Sequence, residues 1–306
     1  MVGALGMHPL PPIDPEPTRA AAVTRRSRSE RPVARRYAVT ARDREVLFAI
    51  GLMAMATTDQ IRRLFFGDAS TASRRLAKLV ALRLLDAHVS LTNAQNIFTL
   101  TRKALGLLEA NDMDMTLLHQ ARVGRSIDSH LLMMNELRVQ FVLGVRKNPG
   151  VDLRSFSADL DLRRQAGSSP PSYVPDAIVD LLLPTGRLVL IVEVDTSTEA
   201  TSVFAKKVAQ TIDLWSAAEA CWGAGRGIWR PVAVVPGAGR ARALARAIVK
   251  QGGGDLWLLA EAQNICTRGI FGSVFAAASE VAAIGRGVPI EYRGALVAPP
   301  AGDSSR

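Results

Sequence analysis

The sequence predicts a chain of the α/β class, α+β overall, in which a small, mainly helical unit precedes a mixed sheet with helical crossovers. Three observations carry this. The chain has 306 residues, 48% of them hydrophobic, enough for roughly two domains of ~100 to 200 residues with buried cores. The apolar period is mostly helical as far as Asn148-Pro149-Gly150 and then gives way to alternation and to continuous apolar runs. The formal charge of +10 is also uneven: residues 1–40 hold 7 basic and 3 acidic side chains, residues 41–111 hold 10 and 6, and the rest hold 21 and 19. An excess concentrated at the front favours an anionic partner such as double-stranded DNA.

Other classes are disfavoured. Two cysteines, Cys221 and Cys266, and four scattered histidines, His8, His88, His119 and His130, do not make a disulfide framework or a structural zinc site. No 18-residue apolar span and no signal-peptide core occur, so the expected location is cytoplasmic, with the nucleoid or a plasmid, and no membrane partner is expected.

Residues 1–36 read as a disordered basic arm, since Pro9, Pro11, Pro12, Pro15, Pro17 and Pro32 break regular structure and TRRSRSERPVARR has no apolar period. Residues 37–112 form the next unit. Thr40 caps a helix with Val46, Leu47 and Ile50 inward; Thr57 or Thr58 caps a second, TDQIRRLFF; Ser70 caps a third, STASRRLAKLVALRLL. Two short runs of strand type, LDAHVSL and NIFTLT, flank TNAQ, and the helix RKALGLLEAN follows. Three helices and a hairpin make a winged helix-turn-helix, in which the third helix enters the major groove. Its Ser70, Thr71, Ser73, Arg74, Arg75 and Lys78 are the residues placed to meet DNA, and such a unit also serves in homodimers.

A second domain is expected over residues 126–262. It opens with a long helix to residue 147 bearing Ile127, Leu131, Met134, Leu137, Phe141 and Val145 on one face. VDLRSF, VPDAIVDLLL and RLVLIVEVD then read as strands, the last two joined at Pro184-Thr185-Gly186. A helix from about Ala200 to Trp222, the strand RPVAVVP, a helix from about Gly239 to Gln251 and the strand DLWLLAE complete the order αβββαβαβ. Residues 263–306 form a partly disordered extension with a helix near Phe275 to Ile284.

The chemistry-bearing segment is 175–207. In a hairpin turning at 184–186, Asp176 and Glu193 are near partners across the ladder, and Glu193 and Asp195 share a face because strand side chains alternate. Carboxylates converging at a strand end suit Mg²⁺, and a lysine beside them can orient or deprotonate a water for phosphodiester hydrolysis. Phe204, Val208, Ile212 and Trp215 mark the buried stripe of the next helix; Lys207 borders it and Lys206 points away. His130 and the tryptophans read as packing residues, and Asp180 as a surface strand position.

These residues resemble the PD-(D/E)xK restriction-endonuclease-like superfamily, whose core is also αβββαβ. The resemblance implies that Asp176 and Glu193 are metal ligands and that Glu136 is an accessory acid; Asp195, on the same strand face as Glu193, is a candidate third ligand. Asp195 stands where the superfamily has its catalytic lysine, which implies Lys207 as the displaced base. Over residues 37–262 the ordered strings YAVTARDREVLFAI, TTDQIRRLFF and ASRRLAKLVALRLL, then His130, Asn135-Glu136, VPDAIVDLLL and IVEVDTSTE, are similar to the replication-relaxation family of plasmids and other mobile elements. That resemblance implies a DNA-binding protein of replication, mobilisation or DNA processing, with protein partners in such a complex. The alternatives are a non-enzymatic regulator or initiator with an inert endonuclease-like domain, and a pure assembly adaptor.

Overall fold

The structure, a computed structural model, describes residues 38–89, 96–118, 129–166, 173–222, 227–285 and 288–296. The expected arm, the TNAQ turn, Ile127 and the last ten residues lie outside these, as do the side chains of Trp215, Cys221 and Trp222.

The first unit comprises α1 (Ala41–Met53), β1 (Ala56–Thr57), α2 (Thr58–Phe65), α3 (Ala69–Ala81), β2 (Leu85–Val89), β3 (Asn96–Leu100) and α4 (Arg102–Glu109). Two capping boxes start its first helices. Thr40 Oγ1 accepts the Asp43 N–H at 3.3 Å while Asp43 Oδ2 accepts the Thr40 N–H at 2.7 Å, and Thr57 and Gln60 do the same at 3.2 and 3.0 Å. The strands form an antiparallel sheet ordered β1-β3-β2. With two residues, β1 is too short to show a period in the sequence.

The cap of α3 is Asp68 rather than Ser70: Asp68 Oδ1 accepts the Thr71 N–H at 2.8 Å and the Ser70 hydroxyl at 2.7 Å. The helix also stops four residues before the predicted Leu85. Arg83 turns left-handed (φ 57°), its N–H reaching Val80 O at 2.8 Å and that of Leu84 reaching Leu79 O at 2.9 Å. This is a Schellman closure, sealed by burial of Leu79 and Leu84 together.

After a short 3₁₀ turn at Met115–Leu117, α5 (Ser129–Lys147) belongs to both halves of the molecule. Met134, Leu137 and Phe141 enter the core of the large sheet, whereas Val139 enters the core formed by Val46, Leu47, Ile61 and Leu76. A helix buried on more than one side has no clean amphipathic stripe. Its polar groups lock the same junction: Asn135 Nδ2 donates to Met53 O at 2.9 Å and Met55 O at 2.8 Å, and Gln60 Nε2 donates to Leu132 O at 3.1 Å. Gly144 lets Phe271 approach, since a Cβ there would lie 2.5 Å from the ring.

The second unit continues with β4 (Asp152–Ala158), α6 (Asp159–Gln165), β5 (Ala177–Leu183), β6 (Gly186–Val194), α7 (Thr201–Trp222), β7 (Ile228–Val235), α8 (Ala238–Lys250), β8 (Leu258–Glu261), α9 (Ala262–Arg268), β9 (Ala276–Ala277) and α10 (Ala278–Ala283). The six strands run β4-β5-β6-β7-β8-β9. β4, β5 and β6 are antiparallel, β6, β7 and β8 parallel through the α7 and α8 crossovers, and β9 antiparallel at the far edge. The predicted strand and helix order is present, with α6 inserted; only Leu162 of that helix is buried, too little to give a period. One sheet face packs on α5, and the other carries Ile178, Val189 and Ile191 beneath α6 and Ala233, Val235 and Leu259 beneath α7 and α8. No helix among the described residues is long and apolar enough to cross a membrane.

Candidate functional site

The β5–β6 register fixes the site. Ala177 faces Val192, so one step towards the open end of the hairpin Asp176 stands opposite Glu193. Asp176 Oδ2 accepts the Val194 N–H at 2.8 Å and lies 3.1 Å from His130 Nε2, in the first turn of α5. Glu193, 1% exposed, accepts the Tyr173 hydroxyl on Oε1 and lies 3.0 Å from Lys207 Nζ on Oε2. Lys207 also reaches Glu199 at 3.1 Å. Behind them the Thr211 hydroxyl sits 2.8 Å from Lys207 O and 3.4 Å from Tyr173 Oη.

This arrangement is electrostatically tight. Burial and the nearby Asp176 charge push Glu193 up to about 7, against the opposing pull of Lys207 and the Tyr173 hydroxyl. Burial works against the ammonium form of Lys207, but the Glu193 and Asp176 charges outweigh it and raise its pKa. Burial and the Glu193 charge raise Tyr173 as well, so it remains a phenol that donates. Removing a carboxylate from water costs several kcal/mol unless charge and hydrogen bonds compensate, and for Glu193 two groups do so, Lys207 from α7 and Tyr173 from the segment before β5.

Thus Asp176, Glu193 and Lys207 are brought together, as the sequence led one to expect, while Lys206 is exposed. The buried stripe of α7 needs correction: it runs through Phe204, Val208 and Thr211, and Ile212 is 40% exposed. Two expected members of the site are held elsewhere. Asp195 accepts Arg240 Nε at 3.0 Å and Nη2 at 2.5 Å and caps the Ser197 N–H at 2.6 Å, which ties the β6–α7 loop to α8. Glu136 pairs with Arg63 of α2 and accepts Gln140 Nε2 at 2.9 Å. Its role is at the junction of the two units. Asp180 pairs with Arg187 at 2.8 Å. Trp257 and Trp229 are core residues, Trp257 in edge contact with Phe204 at 5.6 Å.

The oxygen donors of Asp176 and Glu193 suit a hard divalent cation such as Mg²⁺. Among the described residues, however, no group of three or more His, Cys, Asp or Glu side chains is set for a metal ion. Tyr173 was missed because a lone tyrosine after a Pro-Ser run carries no signal. The reach of His130 to Asp176 was missed because it depends on where the first turn of α5 falls.

On α3, Ser70, Ser73 and Arg74 are exposed, and Thr71 and Lys78 are half-buried. Arg75 is set apart from them. Its guanidinium grips both oxygens of Asp43, which is 1% exposed, so its Nε and Nη2 donors are turned inside the unit.

Comparison with curated proteins and with solved structures gave no match. The sequence model of the replication-relaxation family matches residues 47–228, from within α1 to the start of β7, a span that includes α3, Asp176, Glu193 and Lys207. Covering more than half of the chain, this match shows that the protein belongs to the replication-relaxation family.

Proposed function

We propose that the protein binds double-stranded DNA of a plasmid or other mobile element and acts in its replication, mobilisation or processing. The N-terminal unit reads as a winged helix-turn-helix with α3 as the recognition helix. The observation that carries this reading is the outer face of α3, where Ser73 and Arg74 project from a helix whose inner face, Ala72, Leu76 and Leu79, is sealed in the core. The order αβββαβ from α5 to β7, with one added helix, supports a restriction-endonuclease-like second domain. In it Asp176 and Glu193 would hold Mg²⁺, and Lys207 would position a water for attack on a phosphodiester. A bound Mg²⁺ ion polarises a phosphoryl oxygen and stabilises charge developing there.

A second reading keeps the DNA binding and drops the hydrolysis. Lys207 Nζ already lies between Glu193 and Glu199, so the carboxylates have a resident cation and the domain serves as a docking or dimerisation platform in a cytoplasmic replication or mobilisation complex.

The experiment measures duplex binding and, separately, nicking of supercoiled plasmid with Mg²⁺ or Mn²⁺. Arg74→Ala should weaken binding by ~1 to 3 kcal/mol if the guanidinium reads a guanine edge. Asp176→Asn should leave binding intact and abolish nicking together with any metal-induced rise in Tm. Binding without metal-dependent nicking or stabilisation of the wild type selects the second reading; absence of duplex binding sinks both.

A further inference from the structure

The turn that ends α3 and the first turn of α4 are tied together at three points, and both are basic. Thr101 donates its N–H to Leu84 O at 3.2 Å and its hydroxyl to Arg83 O at 2.8 Å, and Lys103 Nζ donates to Leu82 O at 2.9 Å. Arg83, Arg102 and Lys103 are exposed, and among the described residues none of them forms an ion pair with a carboxylate.

Folding itself uses one of these cations, Lys103, whose ammonium closes Leu82 O at the end of α3. Arg83 fills the left-handed position of the Schellman closure, φ 57°, where glycine is favoured and an L side chain is strained. Arg102 and Lys103 are the first two residues of α4, where the helix dipole disfavours positive charge, and no acidic residue occupies that turn. Arg83 thus carries a backbone cost, and Arg102 and Lys103 a dipole cost at α4, while Lys103 also closes Leu82 O and the charge of Arg83 suits the C-terminal end of α3. The three are held in one frame beside the C-terminal end of α3, which lowers the ordering cost of engaging a ligand.

We infer that Arg83, Arg102 and Lys103 form a second contact surface, for the sugar-phosphate backbone of the duplex that α3 engages. The inference rests on the DNA-binding reading above and gives this patch phosphate contacts rather than base contacts. Lys103 keeps two N–H donors after its bond to Leu82. Phosphate contacts release counterions, so the patch contributes to affinity and salt dependence equally on every sequence, whereas Arg74 contributes to discrimination.

The test uses the full chain, with fluorescence anisotropy on several 30-base-pair duplexes of unrelated sequence across a range of NaCl concentrations. Arg83→Gly should raise Tm by relieving the backbone and yet weaken binding, with the log–log salt slope shallower by about 1. That pairing is one a purely structural residue would not give. Arg102→Ala with Lys103→Ala should make the slope shallower by about 2, with the same proportional loss on every duplex. If Arg83→Gly gains stability at unchanged affinity and slope, or the double variant binds like the wild type, the patch is overturned. A loss seen with Arg74→Ala but not with the patch variants overturns the patch alone, and a wild type that binds no duplex overturns the DNA-binding reading with it.

Discussion

Replacing Arg75 with alanine should destabilise the N-terminal unit by about 3 kcal/mol, read as a fall in the midpoint of urea unfolding at unchanged slope. The arginine holds Asp43, a carboxylate 1% exposed to solvent. Removing one member of such a pair leaves an uncompensated buried charge. The effect falls at the lower end of the usual range because the Arg75 side chain keeps 26% of its surface in water. Burial works to raise the Asp43 pKa, but Arg75 and Thr40 together hold it below the usual carboxylate value. A depressed acid stabilises the fold above its unfolded pKa of 3.8 and loses that contribution as the pH falls through the lower folded value. Acid unfolding of the wild type should show this loss, and Asp43→Asn should flatten that part of the curve. Arg74→Ala, on the exposed face one residue away, should change stability by less than about 0.5 kcal/mol. A double replacement of Arg74 and Arg75 would confuse DNA contact with unfolding, so only the single Arg74 variant reports on recognition.

The second large effect is expected at Asn135. Its amide donates to Met53 O and Met55 O from a site 3% exposed. Asn135→Ala removes both donors and leaves carbonyls at the end of α1 without them, at a cost of about 2 to 3 kcal/mol. Because these bonds join α5 to the first unit, the loss should also show in the form of the transition. Calorimetry of the wild type should give one cooperative endotherm over both units, and the Asn135→Ala variant two resolved transitions, the N-terminal one lower. A variant that melts as one unit at the wild-type temperature would mean that the apolar contacts of Val139 suffice to couple the halves.

What could be read from the sequence follows from how local each determinant is. The starts of α1 and α2 were legible because Thr40 with Asp43, and Thr57 with Gln60, close their boxes within three residues. The apposition of Asp176 and Glu193 was legible because a tight turn at 184–186 sets the register of everything beyond it. The end of α3 was not, because its left-handed residue is an arginine rather than a glycine. The fates of Arg75 and Asp195 were hidden for another reason. Their partners, Asp43 and Arg240, are 32 and 45 positions away, and no periodicity links residues so far apart. The slip from Thr211 to Ile212 on α7 is of a third kind. Hydrophobicity favours Ile212, but two helical turns from Phe204 end nearer Thr211, whose hydroxyl is satisfied by Lys207 O at 2.8 Å and so is buried at little cost.

Residues 119–128 offer the obvious place to divide the chain on paper, yet Val139, Val142 and Leu143 beyond it pack on the first core. Shortening the protein to residues 38–118 would strip that core of a wall and bare the end of α1 that Asn135 covers and the faces of α2 that Leu132 and Arg146 cover. A piece starting at 126 would carry the same wall with nothing on it. The boundary between the halves runs lengthwise along a helix, so no single cut separates them cleanly. Grafting a foreign reader onto this sheet, or lending this reader to another protein, must bring one side of α5 along. Recombination between relatives would meet the same constraint and keep the two halves inherited together.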